Sequence, residues 1–192
     1  MKLLISSAVL LIVFVSSPLW NGDVLAMQRD HLTSKEVDLV KEAQILDKRI
    51  EVFIKAVERR VMVLTGAAPP NTKQAKKEAE LWGDLPTGSR SELVGDIARI
   101  FDEAITNIDD VSSRDDRNPL IPKALRKLAQ AVNTVMAQMR TIRDQAKTEA
   151  EIASFEMLNE DAQQILEAAN RLPPEVDTKK GKKKEKKDSG GE

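Results

Sequence analysis

The sequence predicts an all-α protein, an up-and-down four-helix bundle with a short helix in the first crossover. Two observations lead to this prediction. Helix-favouring residues are abundant, and the 192-residue chain has only eight Gly and eight Pro. Apolar residues also recur at steps of three and four along four long segments. Such spacing indicates amphipathic helices that bury one face each.

The first predicted helix covers residues 34–64. Thr33 and Glu36 have the spacing of a capping box, and no Gly or Pro lies between Thr33 and Gly66. Its apolar face contains Ala43, Leu46, Ile50, Phe53, Val57 and Leu64. This stripe is typical of a long helix in a packed bundle.

A short Lys-rich helix is predicted at 72–82, in the crossover between the first and second long helices. Pro69 and Pro70 precede it, and Gly83 follows it. We expect Trp82 and Leu85 to pack against the end of the bundle.

Three further helices are predicted at 89–111, 119–147 and 149–172, each with an apolar seam. The seam of 89–111 contains Val94, Ile97, Phe101, Ala104, Ile108 and Val111. The seam of 119–147 contains Leu125, Leu128, Val132, Val135, Met139 and Ile142. The seam of 149–172 contains Phe155, Leu158, Ala162, Ile165, Ala169 and Leu172. Because no Gly or Pro lies between Pro122 and Pro173, one helix of about 50 residues is the alternative to the last two. The seam changes phase by one residue, so we predict a turn at 146–148.

The charge distribution predicts which helices are neighbours. The formal net charge is +5 over 119–147, −4 over 89–111 and −5 over 149–172. We therefore expect the basic helix to lie between the two acidic ones as their antiparallel neighbour. A binding surface for an acidic ligand or a lipid headgroup is the alternative use of the basic helix.

The N-terminus predicts export. Lys2 precedes an apolar run at 3–15, and a polar stretch then leads to the small residue Ala26. A run of 13 residues is shorter than the roughly 20 that a membrane-spanning helix needs. We interpret 1–26 as a cleaved secretory signal peptide, with an uncleaved anchor as the alternative. The mature protein, periplasmic or secreted, then has a helical bundle domain at 27–172.

The C-terminal segment 173–192 is predicted to be a disordered, Lys-rich tail, because nothing apolar follows Val176. Its candidate binding residues are Lys179, Lys180, Lys182, Lys183, Lys184, Lys186 and Lys187. Lysine clusters of this kind bind anionic lipids or polymers in a salt-sensitive manner without reading sequence. The alternative is a solubilising segment that has no partner.

The residue inventory disfavours catalysis. The chain has no Cys and no Tyr, and its one histidine, His31, lies near the predicted mature N-terminus. We predict no catalytic triad, no cofactor and no metal centre, since no Glu-x-x-His pair is present. The carboxylates of the 109–116 segment lack the glycine of a calcium loop. With 30 basic and 31 acidic residues, the chain is also not expected to bind nucleic acid sequence-specifically.

One short stretch resembles a known family. His31-Leu32-Thr33-Ser34-Lys35-Glu36 is similar to the Leu-Thr-x-x-Gln start of the small periplasmic stress chaperones of the Spy type. Glu36 stands where that pattern has Gln, and the motif occurs once, over six residues. The resemblance implies an exported, helical protein that binds unfolded clients.

Together these observations predict a non-enzymatic, exported binding or scaffold module. The expected partner is an envelope protein or an anionic surface, and the sequence does not indicate an oligomeric state. A periplasmic chaperone is the alternative, which requires an exposed apolar groove. An enzyme or a metal-binding bundle is the third hypothesis, and it requires polar groups in the core.

Overall fold

The computed structural model describes residues 29–67 and 72–174. Within these ranges the chain forms six α-helices and no strand, which confirms the all-α prediction. They are α1 (Ser34–Glu42), α2 (Leu46–Thr65), α3 (Lys73–Trp82), α4 (Arg90–Arg114), α5 (Leu120–Asp144) and α6 (Glu149–Asn170). The predicted signal peptide and the candidate lysines of the tail lie outside the described residues.

The predicted helix 34–64 is wrong in one respect, because the chain breaks at Ala43–Ile45 into α1 and α2. The Arg49 side chain donates to the carbonyl of Ala43 at 2.9 Å and satisfies a group that the break frees. The break matters because it lets α1 fold back on α2. In a continuous helix, Glu36 and Arg60 would stand about 36 Å apart at 1.5 Å per residue, whereas their side chains are hydrogen bonded.

The other predicted helix boundaries agree with the structure to within three residues. The crossover helix α3 is present, with Thr72 as its N-cap and Gly83 at its C-cap. The turn between α5 and α6 lies at 145–148, where Thr148 and Glu151 form a full capping box. Trp82 is buried as expected, but Leu85 remains partly exposed.

Four helices enclose the core, and each has two neighbours, in the cyclic order α2, α4, α6, α5. Neighbours α2 and α4 are antiparallel, since Arg49 contacts Asn107 and Arg60 contacts Asp96. Neighbours α4 and α6 are parallel, because Arg90 contacts Glu151 near both starts while Ile108 and Ile165 lie together further along.

The pair α2 and α5 is also parallel. Asp47 pairs with Lys123 near both starts, and Thr65 lies across a shared groove from Gln138 near both ends. The chain direction still alternates along α2, α4, α5 and α6. However, the sequential pair α4 and α5 lies across a diagonal of the ring, so neighbours in the ring are not all antiparallel.

The predicted seams supply most of the core. Buried members include Ile50, Phe53 and Val57 of α2, Val94, Ile97 and Phe101 of α4, Leu128, Val132 and Val135 of α5, and Phe155, Leu158 and Ile165 of α6. Burying such side chains stabilises the fold by about 1.5–3 kcal/mol each, before conformational entropy is counted.

The prediction that the basic helix lies between the two acidic helices is right for α6, which is a neighbour of α5, and wrong for α4, which lies across the diagonal of the ring. Lys123 and Lys127 of α5 pair with Asp47 of α2, and Lys127 also pairs with Glu51. In the described ranges no ion pair joins α5 to α4 or to α6. The lysines are spaced i, i+4, as are the two α2 carboxylates, so both sets lie on facing stripes of parallel helices.

None of the described helices is long and apolar enough to cross a membrane.

Candidate functional site

An open groove of about 700 Å³ lies between α2 and α5. At one end, which we call the closed end, the two helices are held together by the ion pairs of Asp47 with Lys123 (2.9 Å) and Lys127 (2.6 Å). From Lys127 onward, side chains of both helices line a concave surface. They are Ile54, Glu58, Val61, Met62 and Thr65 of α2, Ala67, and Lys127, Gln130, Ala131, Thr134, Val135 and Gln138 of α5.

The groove has apolar and polar parts. Val61 and Val135 are buried, and Met62 and Ala131 are half-buried beside them. Thr134 and Gln138 are exposed on the α5 side. An apolar surface with polar residues along its margin matches the way helical grooves bind a segment of another protein.

The ion pairs at the closed end of the groove are electrostatically stable at neutral pH. Hydrogen bonds from Lys123 and then Lys127 lower the pKa of Asp47, against an opposing effect of burial. Hydrogen bonds from Lys127 and Lys48 lower the pKa of Glu51 in the same way. Both carboxylates therefore stay ionised well into the acid range, and they hold the starts of α2 and α5 together.

A second polar feature is a buried ion cluster where α1, α2 and α4 meet. Glu36 is fully buried and accepts hydrogen bonds from both terminal nitrogens of Arg60, at 3.0 and 2.8 Å. The same carboxylate also completes the α1 capping box by accepting from the backbone N–H of Thr33 at 2.8 Å. Arg59 Nε lies 3.3 Å from Glu36. One carboxylate thus compensates two buried arginines and a helix start.

Asp96 of α4 is the second buried carboxylate of the cluster, 1 % exposed. It accepts from Arg29 and from Arg99, the latter at 2.7 Å, and Arg60 Nε lies 3.8 Å away. Arg29 also donates to the carbonyl of Thr87. The Arg29 side chain therefore fixes the segment that precedes α1 to α4 and to the loop before it.

Arg59 connects the cluster to α3. It donates to the carbonyls of Trp82 (3.0 Å) and Gly83 (3.2 Å), and its guanidinium lies 5.5 Å from the Trp82 ring centroid. Burial lowers the pKa of Arg59, and Glu36 opposes that effect. These contacts attach α3 to the bundle through polar groups as well as through the buried Trp82 ring.

The cluster corrects one premise of the enzyme hypothesis, which was that the core lacks polar groups. Its charged side chains are nevertheless paired with one another. No cavity among those found in the described ranges is lined by Glu36, Arg60 or Asp96. The geometry is that of a structural network that orders four segments of the chain.

One carboxylate lies apart from both features. Asp161 of α6 has an oxygen, Oδ2, that is buried without a hydrogen-bond partner among the described residues. Burial, followed by the nearby charges of Asp102 and Glu160, raises the pKa of Asp161 to about 6. In the part of the chain that the structure describes, no group of three or more His, Cys, Asp or Glu is arranged to hold a metal ion.

Seven lysines and His31 stand out in the sequence. The seven candidate lysines from Lys179 to Lys187 lie outside the described residues. His31, near the predicted mature N-terminus, contacts Glu103 of α4 at 2.8 Å.

The buried cluster was missed, although the sequence carries a signal for it. The apolar stripe of the first predicted helix skips from Val57 to Leu64, and Arg60 occupies the skipped position, seven residues after Phe53. A charged residue at a seam position indicates a buried partner, because an unpaired charge in a core is very costly.

Comparisons with known proteins give no assignment, because no family model, no curated protein and no solved structure matches the chain.

Proposed function

We propose that this protein is a non-enzymatic, exported binding module that takes up a segment of an envelope protein in the α2/α5 groove. The observation that carries the proposal is the groove itself. It is the largest of the cavities found in the described ranges, it is open, and its centre is apolar. A groove of this form accepts the apolar face of an amphipathic helix, or the side chains on one face of an extended peptide.

The construction of the groove supports a rigid receptor. Its closed end is held by Asp47, Lys123 and Lys127, and its α2 wall is fixed to α1 and α4 by Arg60. A preformed surface loses little conformational freedom when it binds, which favours specific recognition of one partner.

Export rests on the sequence of residues 1–26, interpreted as a cleaved signal, with the mature bundle at 27–172. In the same proposal the Lys-rich segment engages an anionic lipid or polymer surface and holds the module close to its partner. Seven lysines in residues 179–187 supply the charge for such a contact, which weakens as salt rises.

A chaperone-like protein is the second candidate, and the apolar lining of the groove is the observation that favours it. Met62 lies in that lining, and methionine side chains adapt to many different apolar partners. A chaperone of this kind binds unfolded clients through the same groove instead of one folded partner.

Site-specific photo-cross-linking distinguishes these functions. A photoreactive amino acid at Thr134 lies in the groove, whereas one at Asn133, exposed on the same helix, does not line it. We expect one defined envelope protein to be cross-linked from Thr134 and not from Asn133. A broad set of unfolded clients from Thr134 alone supports the chaperone. Equal products from both positions, or none from either, contradict binding in the groove.

A further inference from the structure

The order of the helices around the core separates charge across the bundle, because α4 lies beside α6 and α2 beside α5. The α4 helix has three basic and six acidic residues, and α6 has six acidic residues and no basic one. In contrast, α2 has five basic and three acidic residues, and α5 has five basic and one acidic. The α4/α6 half is therefore strongly acidic, and the α2/α5 half, which contains the groove, is basic.

The outward face of α6 concentrates this negative charge. Glu149, Glu156, Glu160 and Glu167 fall within about 20° of one line along the helix, at 100° per residue. All four are exposed, and they lie opposite the buried seam of Phe155 to Ile165. We call these four residues the α6 stripe.

The α6 stripe has little compensating charge. In the described ranges, Glu167 is the only residue of the stripe that forms an ion pair. Its partner is Arg171, at 3.6 Å, and both side chains are exposed. Asp102 of α4 is a further exposed carboxylate, near Asp161 of α6. The raised pKa of Asp161, caused by burial and by Asp102 and Glu160, is consistent with a negative potential that no described group neutralises.

The basic segment of the chain begins close to this face. The described part ends at Pro174, and the carbonyl of Pro173 accepts a hydrogen bond from Arg126 of α5, which fixes the exit point beside the end of α6. Lys179 is five residues further along, within about 17 Å of extended chain, and Lys187 is within about 45 Å. The 22-residue helix α6 is about 33 Å long, so the segment can follow the whole α6 stripe.

We infer that the Lys-rich segment 179–187 docks on the α6 stripe of its own bundle. Seven lysines and one glutamate meet four glutamates and the neighbouring aspartates, and the short connection provides an effective concentration on the order of millimolar. The α2/α5 groove is excluded as the docking surface for this segment, since it lies in the basic half.

The contact has a regulatory consequence for the proposed function, and only this consequence rests on that proposal. An anionic surface that engages the lysines must first displace them from the α6 stripe. Docking therefore weakens tethering to weakly charged surfaces and permits it on densely charged ones.

Paramagnetic relaxation measured by NMR tests the docking without any partner. The chain has no cysteine, so Ser189→Cys provides a single attachment site for a nitroxide beside the lysines. We expect the amide signals of α6 near Glu156 and Glu160 to broaden at about 0.01 M salt. They should recover at about 1 M, where the Debye length falls from about 30 to about 3 Å.

Two matched variants test whether the α6 stripe causes the broadening. Neutralising three stripe residues (E156Q, E160Q and E167Q together) is expected to remove the broadening. Neutralising three exposed carboxylates of α1 and α3 (D38N, E42Q and E80Q together) is expected to leave it unchanged. Three results overturn the inference. They are no broadening at low salt, equal broadening in both variants, and broadening that arises between molecules, measured in a mixture in which one copy carries the spin label and another the isotope. A partner found or not found in the groove affects none of these readouts.

Discussion

Replacing Glu36 of the buried Glu36–Arg60 pair tests how much a single buried charge contributes to stability. Glu36→Gln keeps a side chain that can still form the α1 capping box, but it removes the negative charge that faces Arg59 and Arg60. Breaking a buried pair by removing one partner costs about 3–5 kcal/mol, because the remaining charge is left uncompensated in the core. We expect a loss of about 3 kcal/mol, since Asp96 lies 3.8 Å from Arg60 and compensates part of that charge.

Glu92 provides the matched control. It forms the same capping box at the start of α4, accepting from Ser89 N–H at 2.6 Å, but it is exposed and forms no ion pair within the described ranges. Glu92→Gln is therefore expected to change stability very little. Urea unfolding followed by circular dichroism measures both variants. With a slope of about 1–3 kcal/mol per M, a 3 kcal/mol loss lowers the midpoint by at least about 1 M.

A double variant tests the reason for the loss. Glu36→Gln combined with Arg60→Met removes the charges of Glu36 and Arg60 and replaces that guanidinium by an apolar side chain, so part of the lost stability should return. Arg59 stays charged and buried beside the new amide, so the rest of the loss should remain. The reasoning is refuted if Glu36→Gln costs no more than Glu92→Gln, or if the double variant is less stable than Glu36→Gln alone.

Three further changes have expected outcomes in the same unfolding assay. The folded pKa of Asp161, about 6, lies above its ordinary value, so the free energy of unfolding should fall as pH rises from about 4 to about 6. Asp161→Asn should abolish this fall and add about 1–2 kcal/mol at pH 7, a figure reduced because the side chain is partly exposed. The pKa of Asp47 is lowered instead, by Lys123 first, so its contribution is lost as pH falls below about 4. Asp47→Asn should cost about 1 kcal/mol at neutral pH and nothing in acid. Gly66→Ala should cost about 1 kcal/mol, because the residue has φ +67° and an added Cβ meets no atom of the described residues within 4 Å, which leaves backbone strain as the cost.

The helices themselves could be predicted from local patterns. The seams from Val94 to Ile108 and from Leu128 to Met139 are apolar at each step, and the helices found there bury these residues. The turn before Glu149 could also be predicted, because a phase change and a capping box coincide at Thr148. These features depend on residues close together in the chain.

The features that could not be predicted depend on contacts between distant residues. The break at 43–45 has no Gly or Pro to mark it, and it is stabilised by the long-range pairing of Glu36 with Arg60. The order of the helices around the core likewise depends on Asp47 meeting Lys123, 76 positions away. Net charge per helix predicted a different order, because it does not record which face of each helix carries the charge.

The central claim is that the α2/α5 groove is the surface through which this protein works. Affinity capture from envelope extract tests it most directly with three variants compared with the unchanged protein. Thr134→Trp places a large ring in the groove, Asn133→Trp places the same ring outside it, and truncation after residue 172 removes the lysines. We predict that Thr134→Trp loses the captured partner, Asn133→Trp retains it, and the truncated chain captures less of it but with less dependence on salt. Capture that is unchanged by Thr134→Trp contradicts the claim.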